Sequence, residues 1–108
     1  MNSILQGTTP TLTINVNPND LKLADIEELE LTFKQNTNLV YKHKEDCVID
    51  YEANTISYHF SEQETFELVP ARALNWQLRF LMPDNNVIGT VINQIKVSDL
   101  ISTEVMTE

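Results

Sequence analysis

Residues 9–20 read TPTLTINVNPND, with Leu12, Ile14 and Val16 alternating with Thr11, Thr13 and Asn15. A period of two puts each set on one face of a strand, so this stretch predicts a half-buried β-strand. Pro10 suits its start, because proline gives no N–H to a ladder. Asn17-Pro18-Asn19-Asp20 has the residue types of a turn. The next stretch, 21–35, is rich in leucine and glutamate and fits a helix by composition alone. Leu29, Leu31 and Phe33 nevertheless alternate with Glu28, Glu30, Thr32 and Lys34. That phasing predicts a strand over 27–34 with one wet face, preceded by a helical turn within 20–25. Gln35 to Asn38 read as a turn, and 39–44 as a third strand. Residues 47–51 and 55–60 read as a hairpin through Glu52-Ala53-Asn54, with Ile56, Tyr58 and Phe60 inward. Ser61 followed three residues later by Glu64 is a capping-box signature, which predicts a short helical turn limited by Pro70.

The segment 74–97, LNWQLRFLMPDNNVIGTVINQIKV, carries the strongest pattern. Leu74, Trp76, Leu78, Phe80 and Met82 share one face, and Asn75, Gln77 and Arg79 the other, with Leu81 out of pattern. Pro83 to Asn86 supply a turn in which asparagine tolerates positive φ. On the return strand Val87, Gly89, Val91, Ile95 and Val97 fall on one face, and Ile88 and Ile92 on the other. Either a bulge at Gly89 re-phases the strand, or the two isoleucines are exposed. The whole pattern is about seven strands with one short helical turn in 108 residues. The expected fold class is therefore all-β, an immunoglobulin-like antiparallel β-sandwich with Trp76 and Phe80 near its centre, as one domain over 1–108. A partly open barrel is the rival architecture. Residues 1–8 and 98–108 are expected to be loose ends that order on docking.

Charge and composition narrow the function classes. The net charge of −9 argues against nucleic acid, whose phosphates need clustered Lys and Arg, and equally against anionic membrane surfaces. No apolar run approaches the roughly 20 residues of a membrane span. The single cysteine, Cys47, excludes an intramolecular disulfide. The N-terminal stretch lacks a basic region followed by a long apolar core, so no signal peptide is expected, and synthesis in a cytoplasm is.

Catalytic chemistry finds little to use. Glu45, Asp46, Asp50 and Glu52 cluster, but on strand ends with no glycine-bent loop, which fits a solvated face better than a calcium site. His43 and His59 point outward by alternation, and with Cys47 between them they do not make a metal-ligand pattern. Cys47 suits a small core or strand-edge residue better than a nucleophile. No cofactor or metal is expected, and no enzyme. The residues expected to bind a partner are Leu81, Ile88 and Ile92, because a contiguous exposed apolar patch marks a partner surface.

The runs TLTINV, ELTFKQ, NTISYHFSEQET and NWQLRF…DNNVIGT, with the ISTEVMTE tail, resemble small proteins of tailed-phage and prophage structural modules in Gram-positive bacteria. Their strand plan is also similar to the N-terminal immunoglobulin-like domain of phage baseplate upper proteins. The likeness lies in strand phasing and turn placement, and the last turn reads Asp84-Asn85-Asn86 where that plan has Asp-Gly. The resemblance implies a non-enzymatic tail, baseplate or assembly component that packs against protein partners of a phage particle, or against copies of itself. It implies a host bacterial cytoplasm during assembly and the virion afterwards. The alternative expectation is a β-sandwich module that binds carbohydrate or a host surface, through exposed aromatics such as Tyr41, Tyr51 or Phe66.

Overall fold

The computed structural model describes residues 3–17, 21–90, 92–100 and 105–106. Most of the expected Asn17–Asp20 turn, Val91 of the return strand and most of the C-terminal tail lie outside the described residues. Nine strands are present among the described residues: β1 (Ser3–Leu5), β2 (Thr11–Asn15), β3 (Glu28–Gln35), β4 (Asn38–His43), β5 (Val48–Asp50), β6 (Thr55–His59), β7 (Leu74–Leu81), β8 (Val87–Gly89) and β9 (Asn93–Ser98). One helical turn, α1 (Glu62–Phe66), stands between β6 and β7, and two 3-10 turns precede β3 and β5.

The strands form two sheets. The larger has the order β1-β9-β7-β3-β4, with β8 on the remaining half of β7, and the smaller has the order β2-β6-β5. This is the strand order of an immunoglobulin-like sandwich, with the fourth strand added to the larger sheet. All pairs are antiparallel except β1 with β9, where Ile4 lies beside Val97. Both residues are fully buried, and this is why the N-terminal segment is a strand and not the loose end its composition suggests.

The core follows the alternation in the sequence. Leu12, Ile14, Ile56 and Tyr58 of the smaller sheet face Leu29, Leu31, Phe33, Leu78 and Phe80 of the larger. Each fully buried Leu, Ile or Phe contributes about 1.5–3 kcal/mol of transfer free energy. Phe33, Tyr58 and Phe60 form an aromatic cluster with centroids 5.0–5.5 Å apart. Phe80 is central, whereas Trp76 has the expected inward phase but is only partly buried against the core, between the fully buried Leu74 and Leu78.

Two buried amides fix the loops. Asn54, at φ 59°, accepts from the Leu23 N–H at 2.8 Å and donates to the Leu21 carbonyl. Gln35 donates to the Val69 and Arg72 carbonyls and accepts from the Val69 N–H at 2.7 Å. The α1 turn is held by its capping box, in which Ser61 Oγ accepts from the Glu64 N–H and Glu64 Oε1 accepts from the Ser61 N–H. It is also clamped from the N-terminal side. Gln6 donates to the Phe66 and Leu68 carbonyls, and Thr65 Oγ1 donates to the Thr8 carbonyl while accepting from the Thr8 N–H. Gly7, at φ 71°, lets Phe66 and Leu100 approach so closely that a Cβ would lie 2.8 and 2.7 Å from them.

Candidate functional site

The expected partner residues sit around the turn between β7 and β8. Asn85 takes the positive φ of 67°, and the Asp84 carboxylate accepts from the Asn86 N–H. Across β7, Arg79 faces Gly89 on one half and Trp76 faces Asn93 on the other. Three steps along β7 thus match four along the return chain, which therefore carries one extra residue. The bulge lies after Gly89, not at it, and Gly89 has no unusual φ. Thr90 bridges the gap: its N–H donates to the Leu78 carbonyl, its Oγ1 accepts from the Leu78 N–H, and its carbonyl accepts from the Gln77 amide.

This slip changes which residues share a face. Ile88 lies opposite Phe80, on the core side of the sheet, yet it remains 45% exposed because the smaller sheet does not reach it. Val87 lies opposite Leu81, so the outward apolar pair at this turn is Leu81 with Val87. The sequence places Ile88 on the outward face with Leu81 only if no bulge intervenes; a one-residue bulge does intervene, so Ile88 lies on the core side of the sheet, although it is exposed. Ile92 sits in the interruption between β8 and β9 and is 64% exposed. Beside Leu81, Arg79 forms an ion pair with its cross-strand neighbour Glu30, Nε and Nη2 both reaching Oε1 at 3.1 and 2.9 Å.

A second surface went unnoticed in the sequence. The edge strand β4 pairs with β3 on one side and has no strand on the other among the described residues. Leu39, Val40 and Tyr41 on it are all exposed. Val40 lies opposite the buried Phe33, so it faces the interior side, but it is 44% exposed. The smaller sheet is three strands wide against five positions in the larger, and it leaves this margin uncovered. The available clue was the break in alternation, three consecutive apolar residues on one short strand.

Between β4 and α1 lies an open cleft of about 370 Å³. Its floor is apolar, from Phe33, Phe60, Leu68 and Leu74, and its rim carries Val40, Glu64 and Glu67. Glu64 accepts from the Tyr58 hydroxyl at 2.5 Å and pairs with Lys42 Nζ at 3.5 Å. Burial pushes the Glu64 carboxyl up, but the Tyr58 hydroxyl, the Ser61 backbone and the Lys42 ammonium outweigh it and hold the group below its usual range. Burial, and then the Glu64 contact, raise the Tyr58 hydroxyl well above its ordinary value. Glu67 is exposed and, among the described residues, meets only the neutral Gln63 amide, at 3.3 Å.

The residues weighed for catalysis are tied up in structure. Burial and the nearby Asp46 push the Cys47 thiol up to about 11, which keeps it protonated and a poor nucleophile at neutral pH. Asp46 accepts from the His43 N–H, and Asp50 accepts from the Glu52 and Ala53 N–H groups. His59 Nδ1 is hydrogen-bonded to the Thr11 hydroxyl. Among the described residues no three His, Cys, Asp or Glu side chains are grouped to hold a metal ion, and no helix is long and apolar enough to cross a membrane. What the described surface presents is two apolar margins at unpaired strand edges, one of them opening into an acid-rimmed cleft. Neither a scan against protein-family models nor a search of curated proteins finds a match to this chain.

Proposed function

We propose that this chain is an interaction module that works by packing against other proteins, as a component of a tailed-phage or prophage particle or of its assembly. The observation that carries the packing role is the grouping of exposed apolar side chains on strand margins, Leu39, Val40 and Tyr41 at β4 and Val87 and Ile88 at β8, the latter beside the half-buried Leu81 of β7. Scattered exposed apolar residues are ordinary, but grouped ones on unpaired edges favour protein contacts. The phage setting rests on the resemblance in strand phasing alone. In that setting the chain resides in the bacterial cytoplasm until it is built into the particle. The test is the solution mass by light scattering after size exclusion, with the chain alone and mixed with the products of the neighbouring genes. A discrete oligomer or a discrete complex with a tail or baseplate protein is expected; a monomer in both conditions overturns the reading.

A second reading is supported by Tyr41 and Tyr51, both about half exposed. Exposed aromatic faces are what a carbohydrate-binding module stacks sugars on, and a glycan array without hits removes this alternative.

A further inference from the structure

We infer that β4 and the neighbouring cleft form a docking site for an extended, basic segment of a partner protein, which adds to the larger sheet as a further strand. The inference rests on the protein-packing role proposed above and specifies where and how it acts.

Three features meet at this place. The far edge of β4 offers backbone N–H and C=O groups that no strand takes up among the described residues. An incoming strand satisfies such groups with main-chain hydrogen bonds, which give affinity, while alternate side chains enter pockets, which gives specificity. Beside that edge the cleft provides the pocket, with Phe33, Phe60 and Leu68 beneath and Val40 at the lip. A cavity of about 370 Å³ accommodates one or two aliphatic side chains of the added strand.

Charge selects the occupant. Two carboxylates, Glu64 and Glu67, stand on the rim, and Lys42 answers only Glu64. Glu67 is left facing solvent with a neutral neighbour, on a chain of net charge −9. A segment whose apolar residues alternate with Lys or Arg matches both the floor and the rim. A second copy of this chain is a poorer match: it brings another net charge of −9, and the Lys42 of its own β4 is already held by Glu64.

The test uses the full chain, isotope-labelled, titrated with a capped peptide of about six residues that alternates valine and lysine, a length matched to β4. Its valine–glutamate counterpart is the control. The expected result is saturable shifts of the backbone amides of Asn38 to His43 and of Glu64 to Leu68, weakening as salt is raised. Glu67→Lys, an exposed change on a fold otherwise intact, is expected to weaken binding about two- to five-fold, the range of one exposed ion pair. Equal binding of the glutamate peptide, or no saturable shift at millimolar peptide, overturns the inference. Shifts confined to Leu81 and Val87 overturn it too, while leaving the protein-packing reading intact. A concentration-dependent dimer that protects the β4 amides shows that the site takes a second copy, which likewise defeats the basic-partner inference.

Discussion

The Glu64 carboxylate meets three donors of different kinds: the Tyr58 hydroxyl, the Ser61 N–H and the Lys42 ammonium. Together they tie β6, the start of α1 and the edge strand β4 to one side chain. Because its folded-state pKa lies below the ordinary value of 4.5, the ionised form is the one that folding favours. That contribution is complete above the unfolded value and is lost as pH falls through the folded one. Glu64→Gln is therefore expected to destabilise the protein at neutral pH by on the order of 1 kcal/mol, the worth of a partly solvated charged contact. The gap between the two proteins should close as pH drops below about 4, which urea melts at a series of pH values would read. At this scale the sequence was partly legible. Ser61 and Glu64 announce their capping box by spacing alone. Asn54 and Gln35 do not announce their burial, because each is satisfied by groups supplied from over thirty residues away, at Asn17, Leu21 and Leu23 for one and at Val69 and Arg72 for the other.

Among the elements, β2, β3, β6 and β7 could be read directly, since the first three keep their apolar residues on one face from end to end and β7 does so as far as Phe80. The return strand could not. Its single apolar phase is cut by the extra residue between Gly89 and Asn93, and the join is made by a threonine whose side chain takes the place of a backbone group. Nothing in the residue types of Thr90 and Ile92 fixes where such a slip occurs, and so the sequence leaves the face of Ile88 open between a bulge and exposure. β1 escaped notice for a different reason: three residues are too few to show a period, and its partner lies at the other end of the chain. The bulge gives a prediction of its own. Thr90→Val removes the acceptor of the Leu78 N–H, in the middle of a strand that is otherwise fully paired there. It is expected to cost roughly 1–2 kcal/mol in a denaturant melt and to speed hydrogen exchange at the Leu78 amide.

For the whole molecule, the surplus of acidic residues works against compaction. With a net charge of −9 spread over a small fold, and two ion pairs present among the described residues, self-repulsion is only weakly compensated. Raising salt from about 10 mM to 150 mM shortens the screening length from roughly 30 to 8 Å and should raise the Tm. The same salt should weaken docking of a basic segment at β4, so the two effects separate in one buffer series. The fold class was readable at this scale because alternation survives in most strands. The partition into a wide and a narrow sheet was not, and it is this mismatch that leaves the β4 margin bare.

The parallel pairing of β1 with β9 also governs the order of events in time. Ser3 pairs with Lys96, so β1 can take its place only after β9, far along the chain, has been synthesised. Until then Ile4 has no sheet to enter, and β7 carries an open flank where β9 will lie. Folding dominated by such distant pairings runs in milliseconds to seconds, far slower than for helical bundles. Throughout that interval a nascent chain is open to strand exchange with its neighbours. The acidic surface that works against the finished fold is then useful, because it keeps unfinished copies apart while β9 arrives.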